Sequence, residues 1–435
     1  MTQNEPNDAR LLFDPRVERT LSELAHELAP LDPLKRVERL RRALSGPLAT
    51  VAASLYDLRR RATRKFDEPD RAFLTRKGLE QATPLPVAHD RAKQVLELAG
   101  ACELHDLTCG LGADALALSR AGARVLASDL DEMTVRCAAR NLADPRRNAL
   151  VSRADALRPC SRVPYRLLDP DRRAHGERTR AAERMSPTFA DAIALARSAR
   201  GACLKLPPAF ELGGRELAVL GDLPWRASWS SLDGELMELT LWTGEWAADD
   251  VGRREARRLT FAAHTPVRIR RSDRIGSAVP EIEPWSDAEV AAQEVLVEPD
   301  VALVRAGLIE ELAEELDLRP VGPDIAYLAG RRPEPSPWFD AWRIVDSASA
   351  DERRVREMLA RHDIGPVQVR KRGHPDTGEV LARRFAGRGR RRGHLAVART
   401  AGGHRVFLLE SLPTGPGAGG RLVGDEGFEP PTSSL

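Results

Sequence analysis

The stretch from His105 to Leu118, HDLTCGLGADALAL, constrains the fold more than any other part of this chain. An apolar lead-in is followed by Gly110-Leu111-Gly112 and then by apolar residues at helical spacing. This fits the G-x-G-x-x-A pattern of a strand, a glycine turn and a helix. Glycines let a ligand approach the backbone, and the helix N-terminus favours its polar or anionic groups. The stretch therefore predicts a βα unit with a ligand at the turn.

Five short apolar runs between residues 101 and 206 alternate with helical stretches, as expected of βα units around a parallel sheet. In chain order these runs are CELHDL, ARVLAS, ALVSRA, PYRLLD and ACLKL. ELMELTLW (235–242) and RRLTFAAH (257–264) follow with no helix between them and predict antiparallel strands at the sheet edge. The pattern predicts the α/β class, with a Rossmann-like, doubly wound sheet.

Asp106 places a carboxylate at the end of the first predicted strand, directly before the glycine turn. The pyrophosphate of a nicotinamide dinucleotide would be repelled by a carboxylate at this position. S-adenosylmethionine has no phosphate and bears a sulfonium and an α-ammonium group, so the same carboxylate attracts it. Asp129 ends the second predicted strand, where an acid accepts hydrogen bonds from ribose hydroxyls. These acids predict S-adenosylmethionine as the cofactor, with an NAD-dependent enzyme as the less favoured alternative.

The same region resembles a known family. The segment DLTCGLGADALALSRAGARVLASDLDEMTVRCAARNL resembles the cofactor-binding motifs of class I S-adenosylmethionine-dependent methyltransferases. TRKGLEQATPLPVAHDRA upstream, LLDPDRR, VEPDVALVRAGLIEELAEEL and a basic C-terminal module extend the likeness. Together they resemble a bacterial group of methyltransferases that end in a THUMP-like domain.

The resemblance implies roles for individual residues in cofactor binding and methyl transfer. The residues implied to bind the cofactor are Asp106, Gly110 and Gly112 at the methionine end, Asp129 at the ribose and Asp155 at the adenine. The motif next to the transferred methyl group is Asp169-Pro170. Two of these acids have a structural alternative, because Asp129 can cap the helix that follows it and Asp155 can cap a turn.

The motif at Asp169 departs from the [DN]-P-P-[FYW] form of many amino-directed methylases, since it continues as Asp171-Arg172-Arg173. It lacks the aromatic ring that stacks on a flipped base in those enzymes. Arg172 and Arg173 either hold a phosphate or another anionic group of the substrate or form structural salt bridges. Lys205, at the end of the fifth predicted strand, either contacts substrate or closes the pocket. These three basic residues are predicted to bind substrate.

The 435 residues exceed the length of a single ordinary domain. Residues 14–80 and 286–319 have apolar residues at helical spacing, and a proline-rich stretch, GRRPEPSP, follows the second segment. The predicted parts are a helical N-terminal region (1–86), a class I methyltransferase domain (87–285), a helical connector and linker (286–335), a THUMP-like α+β domain (336–412) and a disordered tail (413–435).

Basic residues cluster in the segment 370–394, RKRGHPDTGEVLARRFAGRGRRRGH, although the net charge of the whole chain is only +2. Such a block is a candidate footprint for nucleic acid, the alternative being a solvated loop. The residues predicted to bind substrate here are Arg370, Lys371, Arg390 and Arg391. The THUMP-like resemblance implies RNA as the partner.

Several classes of protein are disfavoured by composition. No run approaches the roughly 20 apolar residues of a membrane span, and the polar N-terminus does not have the pattern of a signal peptide. The five cysteines form no CxxC pair. That usage argues against a metal site and for a cytoplasmic location.

The sequence as a whole predicts a cytoplasmic S-adenosylmethionine-dependent methyltransferase that methylates RNA, either tRNA or rRNA, by direct in-line transfer. One alternative is methylation of a small molecule or a protein, in which case the basic segment is dispensable. The other alternative is a catalytically inactive methyltransferase fold that binds RNA.

Overall fold

The computed structural model describes residues 10–171, 185–262, 268–271 and 282–412. Contacts divide the chain into two units. The first unit contains the residues up to Arg226 together with Leu239–Val251, and the second contains Ala227–Glu238 together with the residues from Gly252 onward. Two strands, β6 (Trp225–Leu232) and β7 (Glu235–Gly244), therefore each contribute residues to both units.

Helices form the N-terminal part of the first unit, as the sequence predicts. They are α1 (Pro15–Leu28), α2 (Pro33–Arg41), α3 (Gly46–Arg61), α4 (Arg76–Gln81) and α5 (Leu85–Ala99). Helices α1 and α2 each begin after an N-cap aspartate. Asp14 and Asp32 accept the backbone N–H groups of Arg16 and Lys35, and a proline follows each cap. Apolar residues on one face of α1 and of α3 are buried, and this burial stabilises the region.

A parallel sheet forms the centre of the first unit. Its strands are β1 (Glu103–Asp106), β2 (Arg124–Asp129), β3 (Ala149–Arg153), β4 (Tyr165–Leu168) and β5 (Gly201–Leu206). Its helices are α6 (Ala113–Ala121), α7 (Glu132–Asn141), α8 (Phe189–Arg197) and α9 (Gly214–Leu220). The strand order is β3-β2-β1-β4-β5, followed by β7, which is antiparallel to β5. The predicted Rossmann-like, doubly wound sheet with an antiparallel strand is confirmed.

The strand order reverses between β1 and β4, because the chain runs outward from β1 to β3 and then returns to the other side of β1. Both β4 and β5 are buried along their whole length, which is typical of central parallel strands. Three charged side chains of the central strands, Asp106, Arg166 and Lys205, are nevertheless buried. Asp106 and Lys205 lie at carboxyl ends of strands, where doubly wound sheets bind ligands.

The second unit contains two groups of strands. Strands β8 (Arg254–Leu259) and β9 (Arg268–Arg271) pair antiparallel, and β8 runs parallel to β6. A separate seven-stranded sheet consists of β10 (Val295–Pro299), β11 (Leu318–Pro320), β12 (Leu328–Gly330), β13 (Phe339–Ser349), β14 (Ile364–Arg372), β15 (Arg391–Thr400) and β16 (Gly403–Ser411). Its order is β11-β12-β10-β13-β16-β15-β14, antiparallel except for the parallel pair of β14 and β15.

The described helices of the second unit complete an α+β module. They are α10 (Asp287–Ala291), α11 (Val301–Ala306), α12 (Ile309–Leu316), α13 (Glu352–Arg361) and α14 (Gly378–Phe385). Helices α13 and α14 bury Val355, Leu359 and Phe385 in one apolar cluster with the sheet, and a separate cluster surrounds Trp342 and Phe407. None of the helices in the described ranges combines the length and the apolar character needed to cross a membrane.

One secondary-structure prediction is wrong, because 286–319 is not helical throughout. Val295–Pro299 is strand β10, and Leu318 begins strand β11. Val295, Leu296 and Val297 are at most 1% exposed, since β10 lies between β12 and β13. A short, fully apolar run has no period that separates helix from strand, so pairing within the sheet decides its structure.

Candidate active site

The predicted site residues of the first unit lie at the carboxyl ends of its parallel strands. Asp106 ends β1, Asp129 ends β2, Asp169 follows β4 and Lys205 is the penultimate residue of β5. Since the strands are parallel and paired in order, these ends meet at one edge of the sheet. That edge includes the reversal of strand order between β1 and β4, where doubly wound sheets bind ligands.

The glycine turn connects β1 to α6 in a conformation that favours glycine. Gly110 has a φ of +54°, and Gly112, the N-cap of α6, has a φ of +86°. Both values lie in the left-handed region that side chains disfavour. The N–H of Gly112 donates to the carbonyl of Cys109 at 2.8 Å and closes the turn. No described atom beyond its chain neighbours lies within 4 Å of the place a Cβ of Gly110 would take, so this side of the turn is open to a ligand.

Asp106 is only 2% exposed and forms no ion pair with the described residues. It accepts the N–H of Thr108 at 3.3 Å. Burial, reinforced by the nearby Asp114 carboxylate, raises the pKa of Asp106 well above its usual range. A buried carboxylate without a paired cation is energetically costly. The α-ammonium group of S-adenosylmethionine would supply a positive charge here, so the residue fits this cofactor, and its role at the methionine end stays a prediction.

Asp129 connects the second strand to the glycine turn. Its carboxylate accepts the N–H of Gly110 at 3.1 Å and the N–H of Asp131 at 3.0 Å, and burial raises its pKa. The cap of α7 is Asp131, which accepts the N–H of Thr134 at 2.7 Å. Asp129 therefore does not cap the helix, which was its structural alternative. Its role at the ribose stays a prediction.

Asp155 lies after β3 in a local turn. One of its carboxylate oxygens accepts the N–H of Leu157 at 2.9 Å, and its carbonyl accepts the N–H of Arg158 at 2.9 Å. This is the turn-capping geometry that forms the structural alternative for Asp155. Its role at the adenine stays a prediction.

Lys205 has an environment that the sequence did not predict. Its ammonium group donates to Thr83 Oγ1 at 2.7 Å, to Asp114 Oδ2 at 3.0 Å and to Asp169 Oδ2 at 2.5 Å. These bonds match the three donors of an ammonium group. The ammonium group is thus directed at these protein oxygens, and direct substrate binding by Lys205 stays a prediction.

Asp114, in the first turn of α6, connects Lys205 to a second buried cation. Its Oδ1 pairs with the guanidinium group of Arg91 on α5, and its Oδ2 also accepts the hydroxyl of Thr83 at 2.7 Å. Burial opposes the ionisation of Asp114, but the charges of Arg91 and Lys205 outweigh it and hold the pKa of Asp114 below its usual range. Arg91, Asp114, Lys205 and Asp169 form what we call the strand-end ion network.

Three residues of this region, Thr83, Arg91 and Asp114, were missed by the sequence analysis. A usable signal existed for Asp114, because it is the one acid in the helix ADALALSRA and lies among apolar residues directly after the glycine turn. Thr83 and Arg91 belong to the segment TPLPVAHDRA, but they lie 31 and 23 residues from Asp114. Only the fold brings these side chains together.

Asp169 and Pro170 follow β4 beside this network. The N–H of Asp169 donates to Thr108 Oγ1 at 2.6 Å, and Lys205 holds Oδ2. The side chain of Asp169 is 39% exposed, and its Oδ1 has no hydrogen-bond partner among the described residues. Pro170 is buried. Asp169 therefore presents one accessible oxygen on a carboxylate whose other oxygen is fixed.

Asp171 links this motif to α4. Its carboxylate accepts hydrogen bonds from Lys77 Nζ at 3.4 Å and from Gln81 Nε2 at 3.1 Å, and its backbone pairs with that of Ser186. The next two predicted site residues, Arg172 and Arg173, lie outside the described residues.

The strand ends fit S-adenosylmethionine on three counts. They provide a buried carboxylate at Asp106 that forms no ion pair with the described residues, an open glycine turn at Gly110 and an acid at the end of β2. Across the part of the chain that the structure describes, no group of three or more His, Cys, Asp or Glu side chains is placed to hold a metal ion.

Two predicted basic residues of the second unit have partners within it. Arg370 donates to Glu298 at 2.8 Å, and its guanidinium carbon lies 4.6 Å from the ring centroid of Trp342. Lys371 donates to the carbonyl of His374 at 3.3 Å. Both side chains are half-buried. Their role in substrate binding stays a prediction.

The other two predicted basic residues lie in residues 388–392, the end of the loop before β15 and the first two residues of that strand, which we call the arginine loop. Its four arginines are exposed and form no ion pair with the described residues; they are Arg388, Arg390, Arg391 and Arg392. The backbone beside them is held in place. The N–H groups of Gly387 and Gly389 donate to the carbonyls of Gly365 and Ile364 at 2.8 and 3.1 Å.

Comparison with known proteins shows the family. A family model described as THUMP domain-like matches residues 340–411. Two proteins of Mycobacterium tuberculosis, from strains H37Rv and CDC 1551, are described as S-adenosylmethionine-dependent methyltransferases. Each is 31% identical to this chain over 370 residues, covering 83% of this chain and 96% of theirs. A crystallised protein described as a methyltransferase from Porphyromonas gingivalis W83 has a TM-score of 0.69 at 18% identity, covering 91% of this chain and 98% of that chain.

The fold is a Rossmann-like, doubly wound sheet, with the candidate site at its carboxyl edge. Within that class, the chain belongs to the S-adenosylmethionine-dependent methyltransferases and carries a THUMP-like domain at its C-terminus. It is an enzyme, and S-adenosylmethionine is its cofactor. The family, the fold class, the enzyme class and the cofactor predicted from the sequence are confirmed.

Proposed function

We propose that this methyltransferase acts on RNA. One observation supports the proposal most directly: residues 340–411 contain sixteen Lys and Arg against nine Asp and Glu, a net charge of +7 in a chain whose total is +2. The arginine loop presents part of this charge unpaired within the described residues. Exposed, uncompensated arginines bind a polyanion and release its counterions. RNA is the polyanion that the THUMP-like domain implies.

The cofactor-binding residues act from the strand ends. Asp106 binds the α-ammonium group, and the turn at Gly110 and Gly112 lies along the methionine portion. Asp129 accepts hydrogen bonds from the ribose, and Asp155 lies at the adenine amino group. S-adenosylmethionine, when bound, supplies an activated methyl group for direct in-line transfer, so the main task of the protein is to position the acceptor.

Asp169 orients that acceptor. Lys205 holds Oδ2 of Asp169, which leaves Oδ1 to accept a hydrogen bond from an N–H or O–H group of the acceptor. The same oxygen takes the proton that the acceptor loses. Pro170 is buried and restricts the backbone at this point. Because no aromatic residue follows in Asp171-Arg172-Arg173, the hydrogen bond to Asp169 replaces stacking as the main orienting contact.

The proposal assigns the two activities to two parts of the chain. The methyltransferase domain of residues 87–285 performs the transfer, and the THUMP-like domain of residues 336–412 binds the RNA. The cytoplasmic location predicted from the cysteine usage accords with either a tRNA or an rRNA substrate.

Calorimetric titration tests the cofactor site first. The wild-type protein is expected to bind S-adenosylhomocysteine and not NADH, and Asp129→Ala is expected to abolish that binding. Unchanged binding in Asp129→Ala would remove Asp129 from the site.

Transfer of a tritiated methyl group to total RNA, total protein and a small-molecule extract tests the substrate. Label is expected in the RNA fraction and is expected to disappear after ribonuclease treatment. Label in the protein or small-molecule fraction would assign the acceptor to that class instead. RNA binding without label in any fraction would show a catalytically inactive fold.

A further inference from the structure

Lys205 is a buried cation beside the proposed acceptor site, and the residue roles above give it no separate function. Its side chain is 8% exposed, and its ammonium group bonds to Thr83, Asp114 and Asp169. Burying an ammonium group is costly unless charges and hydrogen bonds compensate it. A lysine at this position therefore needs an explanation beyond packing.

The ion pairs indicate which carboxylate Lys205 serves. Asp114 already pairs with Arg91, whose side chain is 2% exposed. Among the described residues, the ion pair of Asp169 is with Lys205, whose ammonium N–H group its Oδ2 accepts at 2.5 Å. Lys205 therefore supplies the positive charge that is paired with Asp169.

The contacts fix Asp169 from two directions. Its backbone N–H donates to Thr108 Oγ1 at 2.6 Å, and its Oδ2 is held by Lys205. A carboxylate held at its backbone and at one oxygen has little freedom to rotate, so Oδ1 keeps one orientation. The 39% exposure of the side chain leaves this oxygen open to an acceptor.

We infer that Lys205 is a positioning residue for methyl transfer, which holds the carboxylate of Asp169 toward the acceptor. The inference rests on the proposed role of Asp169. Lys205 is itself held by Asp114 in the first turn of α6, the helix that follows the cofactor glycines. Thr83 completes the connection, since its hydroxyl accepts from Lys205 and donates to Asp114. The glycine turn and the acceptor motif are thus joined through one chain of buried polar contacts.

Replacing Lys205 tests this role. Lys205→Met is expected to lower kcat for RNA methylation about 10²-fold, because a misplaced orienting group costs about that much. The Kd for S-adenosylhomocysteine is expected to change less than about threefold, since Lys205 does not contact the cofactor in this scheme. Lys205→Arg keeps the charge and is expected to recover part of the lost kcat. If Lys205→Met does not fold, Lys205→Gln is used in its place.

Lys65→Met is the matched control. Lys65 also has a partly buried ammonium group, and burial lowers its pKa to about 8. It bonds to the carbonyls of Leu79 and Glu80 at 2.7 and 3.0 Å, and not to Asp169. Lys65 lies close enough to Lys205 for the two charges to interact, but it bonds to no residue of the strand-end ion network. The kcat of Lys65→Met is therefore expected to stay within about threefold of that of the wild type. A loss as large as that of Lys205→Met would overturn the inference.

A double-mutant cycle separates positioning from general destabilisation. In an Asp169→Asn background, Lys205→Met is expected to lower kcat by less than a further factor of about three, because the residue it positions is already changed. Losses that multiply fully in the double variant would show that Lys205 does not act through Asp169.

Unfolding in urea supplies a readout that needs no substrate. The unfolding midpoint of the double variant is expected to lie closer to those of the single variants than additivity predicts, because each single change breaks the same ion pair. If the wild-type protein methylates no RNA, the proposed function fails, yet this cycle still decides whether Lys205 holds Asp169. Additive midpoints would overturn the positioning role for any acceptor.

Discussion

Basic side chains are arranged in opposite ways at the strand ends of the first unit and in the arginine loop of the second. At the strand ends, the side chains of Arg91 and Lys205 are 2% and 8% exposed, and each is paired with carboxylates. In the arginine loop, Arg390 and Arg391 are exposed and form no ion pair with the described residues. The number of charges does not distinguish these two groups of cations. A cation paired with carboxylates is held in place and can position protein groups, whereas an unpaired, exposed cation is available to a ligand.

Substitution of Asp169, the carboxylate paired with Lys205, is expected to have the largest effect on kcat. Asp169→Asn keeps the shape of the side chain but removes the charge that takes the proton of the acceptor. We expect kcat for RNA methylation to fall about 10³-fold, with little change in calorimetric affinity for S-adenosylhomocysteine. Asp171→Asn is the control, because Asp171 lies two residues further on and bonds to Lys77 and Gln81. Equal losses of kcat in both variants would deny Asp169 a special role.

Asp106 is a buried acid of the site that forms no ion pair with the described residues, and its substitution is expected to have the next largest effect. Asp106→Asn should weaken S-adenosylhomocysteine binding about tenfold to a hundredfold, the usual value of a charged hydrogen bond. Burial raises the pKa of Asp106, so acidification protonates it and removes the charge that attracts the α-ammonium group. Wild-type affinity should therefore fall as the pH drops below the raised pKa, whereas that of Asp106→Asn should not. Calorimetry across a pH series measures both.

Asp106→Asn is also expected to change the stability of the protein. A carboxyl group whose pKa is higher in the folded than in the unfolded protein contributes stability in acid that is lost as the pH rises through the folded pKa. Asp106→Asn should therefore raise the melting temperature of the cofactor-free protein above that pKa, with a gain that shrinks toward low pH. A lower melting temperature across the whole pH range would contradict the view that burying the charge of Asp106 destabilises the cofactor-free protein.

The role of the unpaired arginines in RNA binding is tested with the double variant Arg390→Gln/Arg391→Gln. The double variant is expected to bind RNA about tenfold more weakly at moderate salt and to lower the slope of log K against log salt by about one to two. Arg353→Gln/Arg356→Gln is the control, since these exposed arginines on α13 are paired with Glu357 and Glu352 at 3.0 and 2.6 Å. Filter binding over a salt series measures the effect. An equal loss in the control would mean that overall charge, and not the unpaired loop, binds the RNA.

The smallest effect is expected at an exposed ion pair beside the site. Lys77 and Asp171 approach to 3.4 Å, but 69% of the Lys77 side chain is exposed. Lys77→Ala should change the free energy of unfolding by less than about 0.5 kcal/mol and kcat by less than about twofold, since exposed pairs are weak. Urea denaturation and the methylation assay check this. A tenfold loss of kcat would place Lys77 at the acceptor.

The positions of the strand-end acids could be predicted from the sequence because each depends on a short local pattern. Asp106, Asp129 and Asp169 each follow an apolar run, and parallel pairing then brings the strand ends together by a general rule. Their placement at the sheet edge is as predicted, and their individual roles stay predictions.

The strand-end ion network could not be predicted because its members are far apart along the chain. Lys205 lies 122 residues from Thr83 and 91 residues from Asp114. Pairing between such distant side chains depends on the packing of α5 against α6 and on the place of β5 in the sheet, which no local pattern encodes. The sequence therefore left Lys205 with two open interpretations.

Strand β6 shows a second limit of local patterns. The sequence analysis did not predict it, because WRASWSSL mixes serines with apolar residues. Ser228, Ser230 and Ser231 are at most 4% exposed, and Ser231 donates to Asp300 Oδ1 at 2.8 Å. A polar side chain such as that of Ser231 can be buried when a hydrogen bond satisfies it. A pattern based on hydrophobicity therefore does not detect a buried strand that contains such serines.

The chain passes between the two units three times, after Arg226, Glu238 and Val251. A fragment ending at Arg226 would lack the β7 residues that pair with β5, whereas a fragment beginning at Ala227 would contain them without their neighbour. No single recombination point between relatives can therefore exchange one unit and leave the other intact. A chimaera that exchanges one of the two units needs three junctions.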